Sequence, residues 1–352
     1  MGLLESVQTY IKPVNRSMEN EIQKHLDNLT KPKGSLGYLE DIVKQYCLIR
    51  NETKPSLGKK VIFTFAADHG VCEESVSAYP KEVTPQMVLN MLNGGAAVNV
   101  LAKHANADVY IVDVGVDYDF KDVKGLIDKK VKYGTDNIAK GSAMSLKEAN
   151  LAIDIGIELA HQAIDSGAVI LGTGEMGIGN TTPSSALYSV FMDKSVEEVT
   201  GVGTGIDKDK LKHKIDVIKK AIDVNKDMLD DPVSTLAAVG GLEIAAICGL
   251  IIGAASRNTP VVVDGFISSA GALSAYKICP KVKDYMFFSH KSKEKGHIAF
   301  LDWIGARPIL DLDLRLGEGT GAALAFNVIE AAIKIYNEMA SFSSAGVSEG
   351  DD

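Results

Sequence analysis

Short apolar runs recur along the chain: VIFTFAA (61–67), DVYIVDVGV (108–116), AVILGT (168–173), PVVVDG (260–265) and YMFFSH (285–290). Between most of them lie helical patterns, at 86–104, 145–166, 183–192, 208–227, 235–256 and 267–277. Continuous apolar strands alternating with helices predict a parallel sheet covered on both faces. Right-handed crossovers then bring every strand's C-terminal end to one edge, where ligands of open α/β sheets bind. Residues 1–55 read as helices without strong strands, and 321–342 is helical again. The expected organisation is a large α/β domain over 56–320 and a small helical domain from 1–55 plus 321–342. The polar, acidic tail 343–352 reads as flexible. Thr84 before Pro85, and Thr182 before Pro183, each suggest a helix N-cap with proline at the first helical position.

The composition sharpens this picture. Of 352 residues, 46% are hydrophobic and 24% charged, with 33 glycines and a single tryptophan, which suits an α/β enzyme with Gly-rich loops. A net charge of −9 argues against a general nucleic-acid binder, which would be basic. Cys47, Cys72, Cys248 and Cys279 show neither CxxC spacing nor a zinc-site pattern, so no metal is expected and the thiols read as reduced and cytoplasmic. No basic-then-apolar signal opens the chain. The apolar stretch 236–255 is the one membrane suspect, but Glu243 lies inside it. Its small residues suit a buried helix pressed closely on its neighbours, so no membrane partner is expected.

The predicted strand ends carry the chemistry. GTG (172–174), GTG (203–205) and GEGTG (317–321) are candidate anion cradles, because glycine lets backbone N–H groups approach a ligand. Lys214, on the helix after the second, is a candidate cation for phosphate. GTGEMG formally matches a dinucleotide fingerprint, and an NAD-dependent oxidoreductase is one alternative; a non-catalytic nucleotide-binding subunit is another. There is no GxxxxGK[ST] loop, and VVVDGF offers only Asp264 where magnesium-dependent ribosyl transferases carry paired acids. His69 reads as structural. The loop around Lys291, Lys293 and Lys295, with His290 and His297, reads as a solvated charge run from which Ser292 alone reaches a ligand.

Together, LDNLTKPKGSLGYLE, FAADHGVCEESVSAYPKEVTPQMVLNMLNGGAAVNVLA, GTGEMGIGNTTPSSAL, GTGID, VVVDGFISSAGAL, SHKSKEKGH and LRLGEGTGAALA resemble one family. It is nicotinate-nucleotide:5,6-dimethylbenzimidazole phosphoribosyltransferase, of cobalamin lower-ligand synthesis. The matching pieces run in order from about residue 26 to 326. The resemblance implies a Rossmann-like, doubly wound parallel sheet with a small helical domain, acting as a homodimer without a cofactor. It implies transfer of 5-phosphoribose from nicotinate mononucleotide to a benzimidazole-type base, giving α-ribazole 5′-phosphate and nicotinate with inversion at the anomeric carbon. It places the general base on Glu318 and a second catalytic acid on Glu175. It puts base contacts on Ser77, Tyr79, Gln86 and Met176. Phosphate or ribose contacts fall on Gly174, Gly177, Asn180, Gly203, Thr204, Gly205, Lys214, Ser292 and Gly317. Pro85 stands where some relatives carry a second Gln, which bears on base preference.

A benzimidazole attacking through one nitrogen makes the N–H of the other acidic. A carboxylate aimed at that N–H takes the proton, and apolar surroundings that raise its pKa make it a better acceptor.

Overall fold

A computed structural model describes residues 2–201 and 207–348. Its centre is a parallel sheet of β1 (Lys59–Ala67), β2 (Ala107–Gly115), β3 (Leu126–Asp128), β4 (Ala168–Met176), β5 (Val261–Val263) and β6 (Met286–Phe288), in the order β3-β2-β1-β4-β5-β6. Every pairing is parallel. The chain winds outward from β1 to β3, then returns to β4 on the other side of β1. This doubly wound order opens a crevice at the C-terminal ends of β1 and β4.

The apolar runs form strands because both faces of the sheet are covered, and β1 from Val61 to Ala67 is buried throughout. β3 escapes the pattern: only three residues long and half-buried, it lies between charged flanks. β4 runs further than its apolar core and carries Gly174, Glu175 and Met176 in register with Thr64, Phe65 and Ala66 of β1. The GTGEM segment is therefore strand, not a phosphate loop, and it makes neither a dinucleotide turn nor the first of the expected anion cradles.

Two predicted helices are each divided at glycine pairs. The 86–104 pattern becomes Val83–Leu92 and Ala97–His104, separated at Gly94 and Gly95, and 235–256 becomes Pro232–Val239 and Leu242–Ser256, separated at Gly240 and Gly241. Neither expected threonine cap forms, since the helices start at Val83 and Thr181, one residue before each threonine. Thr84 Oγ1 instead accepts the N–H of Ile178 at 3.0 Å, tying this helix to the end of β4.

The Leu242–Ser256 helix is buried along nearly its whole length. No helix among the described residues is long and apolar enough to cross a membrane. Its apolar surface is spent on the Leu146–Asp165 helix, and glycines bring the two backbones together. A Cβ at Gly156 would strike the Ala246 carbonyl, and one at Gly249 the Ile153 carbonyl. The Thr320–Glu338 helix lies on the sheet, where Phe326 Cζ and Ala322 Cβ come within 3.1 and 3.2 Å of the space a side chain at Gly172 would need. The same helix meets the chain's N-terminal part, with His25 Nε2 2.8 Å from the Tyr336 carbonyl. Residues at the start of the expected flexible tail are ordered: Phe342–Ala345 form a turn of helix capped by Ser341, and Leu29 bridges Ser341. Residues 349–352 lie outside the described set.

Alanine exceeds glycine in helix propensity by about 1 kcal/mol, yet Gly156→Ala and Gly249→Ala should each destabilise. Overpacking against an immovable backbone costs roughly 1–3 kcal/mol or more. Urea unfolding at constant m-value measures the loss; two variants as stable as the parent would mean that the helices do not touch through backbone.

Candidate active site

Gly317, Glu318 and Gly319 all adopt left-handed backbone, with φ of +89°, +65° and +99°. Glycine tolerates this freely, but glutamate does not, and the strain persists only where surrounding contacts dictate the shape. Those contacts converge from several elements. Thr64 Oγ1 of β1 donates to the Glu318 carbonyl at 2.9 Å. Thr320 Oγ1 donates to the Gly317 carbonyl at 2.7 Å. Asp264, directly after β5, accepts the N–H groups of Gly319, Gly321 and Ala322 at 3.0, 2.8 and 3.2 Å. It caps the Thr320–Glu338 helix from a different part of the chain, where an anion also complements the helix dipole.

The turn delivers Glu318 into a cleft of about 370 Å3 at the carboxyl edge of the sheet. Glu175 enters the same cleft from the end of β4. The two acids are neighbours: a side chain at Gly317 would strike Glu175 Oε1. Their settings differ. Asn180 Nδ2 donates to Glu175 Oε2 at 2.5 Å. Glu318 Oε2 is buried without a hydrogen-bond partner among the described residues.

Burial pushes Glu175 up to about 8; the Asn180 hydrogen bond opposes this, while the charges of Asp264, Glu243 and Glu318 add to it. Burial, with the Asp264 charge beside it, pushes Glu318 up to about 7. Lys214 is buried as well, and loss of water pulls it down to about 8, with Glu294 opposing. Its Nζ donates to Thr181 Oγ1 at 2.6 Å, and Thr181 lines the cleft. Among the described lysines of this charged helix, Lys214 is the one that faces inward.

One wall of the cleft is apolar, with Tyr79, Val83, Met87, Met176, Ile178 and Leu316; Gly177, Asn180, Ser292 and Gly317 also line it. Other expected contacts lie elsewhere. Gly174 sits within β4, where a Cβ would strike the Glu318 carbonyl, so it supports the Glu318 turn from behind. Ser77 lines a separate depression that shares Tyr79 with the cleft, and its Oγ accepts the Tyr79 N–H at 3.2 Å. Gln86 is on the exposed face of its helix and does not line the cleft. Gly203, Thr204 and Gly205, and with them the second expected cradle, fall outside the described residues.

His69 stands behind the cleft. Its Nε2 lies 2.8 Å from Glu243 Oε1, and a Cβ on Gly177 would approach that nitrogen to 3.2 Å. Burial alone would lower the His69 pKa, but the Glu243 charge and hydrogen bond, with Asp68, raise it overall.

The lysine-rich loop departs most from expectation. His290, Ser292 and Glu294 are buried while Lys291 and Lys293 face out, a period of two that marks extended backbone with one covered face, and the Lys295–Ile304 helix that follows buries His297 while Lys295 faces out. Lys291 and Lys293 pair with Asp311 and Asp313 at 3.3 and 3.2 Å. The inward side chains reach the cleft in three cases, His290, Ser292 and Glu294. Inside, the Ser292 N–H donates to His297 Nδ1 at 3.0 Å, and His297 Nε2 lies 3.0 Å from Ser269 Oγ. Burial pulls the His297 pKa down to about 3, so this imidazole is neutral and holds the Ser292 backbone in place.

A family model described as "Phosphoribosyltransferase" matches residues 11–347. A nicotinate-nucleotide–dimethylbenzimidazole phosphoribosyltransferase of Chlorobaculum parvum is 60% identical over 97% of both chains. One from a Geobacter species is 57% identical over 99% of both. A crystal structure of the enzyme of that name from Thermus thermophilus superposes with a TM-score of 0.90 at 43% identity, covering 96% of this chain and 100% of that one. The chain belongs to the nicotinate-nucleotide–dimethylbenzimidazole phosphoribosyltransferase family.

The raised pKa of Glu318 ties stability to pH. The folded state keeps a proton up to about 7 that the unfolded chain releases near 4.5, so stability falls as pH climbs between those values. Glu318→Gln removes the buried charge. It should raise the unfolding free energy at pH 8 by about 1–3 kcal/mol and leave it nearly unchanged at pH 4. Thermal melts across that range check it; a gain independent of pH would show that Glu318 ionises normally in the fold.

Proposed function

We propose that the protein transfers the 5-phosphoribosyl group of nicotinate mononucleotide to a ring nitrogen of 5,6-dimethylbenzimidazole or a related base. The products are α-ribazole 5′-phosphate and nicotinate. The observation that carries this reading is Glu318: a carboxylate on strained backbone with one unpartnered oxygen, beside a second acid in a cleft with apolar lining residues.

The lone pair of one benzimidazole nitrogen forms the new bond to the anomeric carbon from the face opposite the leaving ring, which inverts the centre. The old bond breaks, and its electron pair neutralises the departing pyridinium nitrogen. The proton on the second benzimidazole nitrogen passes to Glu318. An acceptor near 7 is well matched to work at neutral pH, half ionised when free and basic enough to take the proton. The wall of Tyr79, Val83, Met87, Met176 and Leu316 suits a flat apolar ring.

Glu175 has a different part. As the leaving bond lengthens, the anomeric carbon gains positive charge, and a nearby carboxylate stabilises it. Burial holds Glu175 protonated to about 8; a pyridinium beside it favours the ionised form. Ser292 and Lys214, behind Thr181, supply the polar end for phosphate. The same proposal takes the protein to act as a homodimer and without a cofactor.

Incubation with nicotinate mononucleotide and a panel of bases, read by mass spectrometry, should yield nicotinate and the α-ribotide of dimethylbenzimidazole. No ribotide with any base would overturn the reading. Glu318→Gln should cut turnover by about 10²–10⁴-fold, and the parent's turnover should rise with pH through about 7 as this carboxylate ionises. Glu175→Gln should lower kcat more than it raises KM for the nucleotide; an unchanged kcat removes Glu175 from charge stabilisation.

A further inference from the structure

We infer that His290 binds the ribose of the nucleotide, accepting a hydrogen bond from one sugar hydroxyl through Nε2. The inference rests on the reaction proposed above and adds a substrate contact to it.

Its first support is a count of protons. Ser289 Oγ donates to the Asp264 carbonyl at 3.1 Å and also lies 2.9 Å from His290 Nδ1. A hydroxyl has one proton, and a carbonyl can only accept, so that proton is committed. His290 Nδ1 must therefore be the donor in its contact with Ser289. Asp264 Oδ1, 3.7 Å from the same nitrogen, favours the same tautomer, because a lone pair there would face a carboxylate. In the neutral ring this leaves a lone pair on Nε2.

The second support is where that lone pair sits. His290 is only 1% exposed, yet it lines the cleft together with Gly265. A Cβ on Gly265 would lie 3.2 Å from His290 Cε1 and 3.3 Å from Nε2. The bare glycine leaves this edge of the ring uncovered. No described residue forms a hydrogen bond with Nε2; the polar partners of the ring, Ser289 and Asp264, are both at Nδ1.

The third support is position along the substrate. His290 precedes Ser292, at the phosphate end of the cleft, by two residues. Its Nδ1 edge packs against Gly321, three residues beyond Glu318 at the base end. Between the phosphate and the base of a nucleotide lies the sugar. Ribose hydroxyls can donate to a lone pair, whereas a phosphate dianion and a carboxylate cannot.

The test is a cycle between enzyme and substrate. kcat/KM is measured for nicotinate mononucleotide and for its 2′-deoxy and 3′-deoxy analogues, with the parent, His290→Asn and His290→Gln. Asparagine keeps an amide near Nδ1 and empties the Nε2 position; glutamine can place its carbonyl oxygen there. His290→Asn should lower kcat/KM on the full nucleotide by about 10–100-fold, and His290→Gln should recover part of the loss. On the analogue lacking the contacted hydroxyl, parent and Asn variant should agree within about twofold. Nitrogen-15 NMR of histidine-labelled parent protein reads the contact without any substitution: the Nε2 resonance of His290 should move when the full nucleotide binds and stay when that hydroxyl is missing. An Asn penalty of equal size on all three substrates, or an Nε2 resonance indifferent to the nucleotide, overturns the inference and leaves the reaction standing. A parent protein that makes no ribotide overturns the reaction, and the ribose contact with it.

Discussion

The N–H groups of Gly319, Gly321 and Ala322 converge on the Asp264 carboxylate, and the shape of the cleft follows from that grip. Successive left-handed residues do not hold themselves in place. Here the conformation is bound from one side by Thr64 of β1 and from the other by Asp264. Asp264 is anchored in turn, its own N–H donating to Thr173 Oγ1 of β4 at 3.0 Å. It also stands beside His290, two residues past β6. One buried acid thus joins β4, β5, the segment after β6 and the last long helix, and it fixes where Glu318 can point.

Crowding acids at one dry edge of the sheet has an electrostatic result. Glu175, Asp264 and Glu318 are all buried there, and each ionisation makes the next harder. Burial is the first cause of the upward shift at Glu175, Asp264 and Glu318 alike. What separates them is their partners. Asp264 receives three backbone donors, Glu175 one amide, and one oxygen of Glu318 receives none. A carboxylate with an open oxygen is free to take a proton from a ligand, whereas the bonded ones are committed to holding position and charge.

Much of this was legible in the residues. Uniform apolar runs gave the sheet because both of its faces are covered, and the glycines on both sides of Glu318 marked a turn of positive φ, which all three residues adopt. The misreadings have physical origins. β3 is too short to show a period, and the glycine pairs at 94–95 and 240–241 interrupt helices without disturbing their apolar pattern. GTGEM looked like a loop because its glycines suggest one, but in β4 they leave room for Phe326 and for the Glu318 backbone. Asp264 looked like half of a missing acid pair. Its work is on N–H groups more than fifty residues away, which no local pattern encodes. The segment 290–294 did carry a usable signal, the alternation of lysines with His, Ser and Glu, but the lysines' charge masked it.

The order in which the pieces are made gives the Thr320–Glu338 helix a particular standing. All six strands precede Glu318 in the chain. The strands by themselves therefore lack the Glu318 turn. Until that helix lays Phe326 and Ala322 over Gly172, Asp264 has no amides to hold and Glu318 has no fixed place at the edge of the sheet. The cleft is therefore complete only when this last long helix is seated, and the same helix covers one face of the sheet beside it.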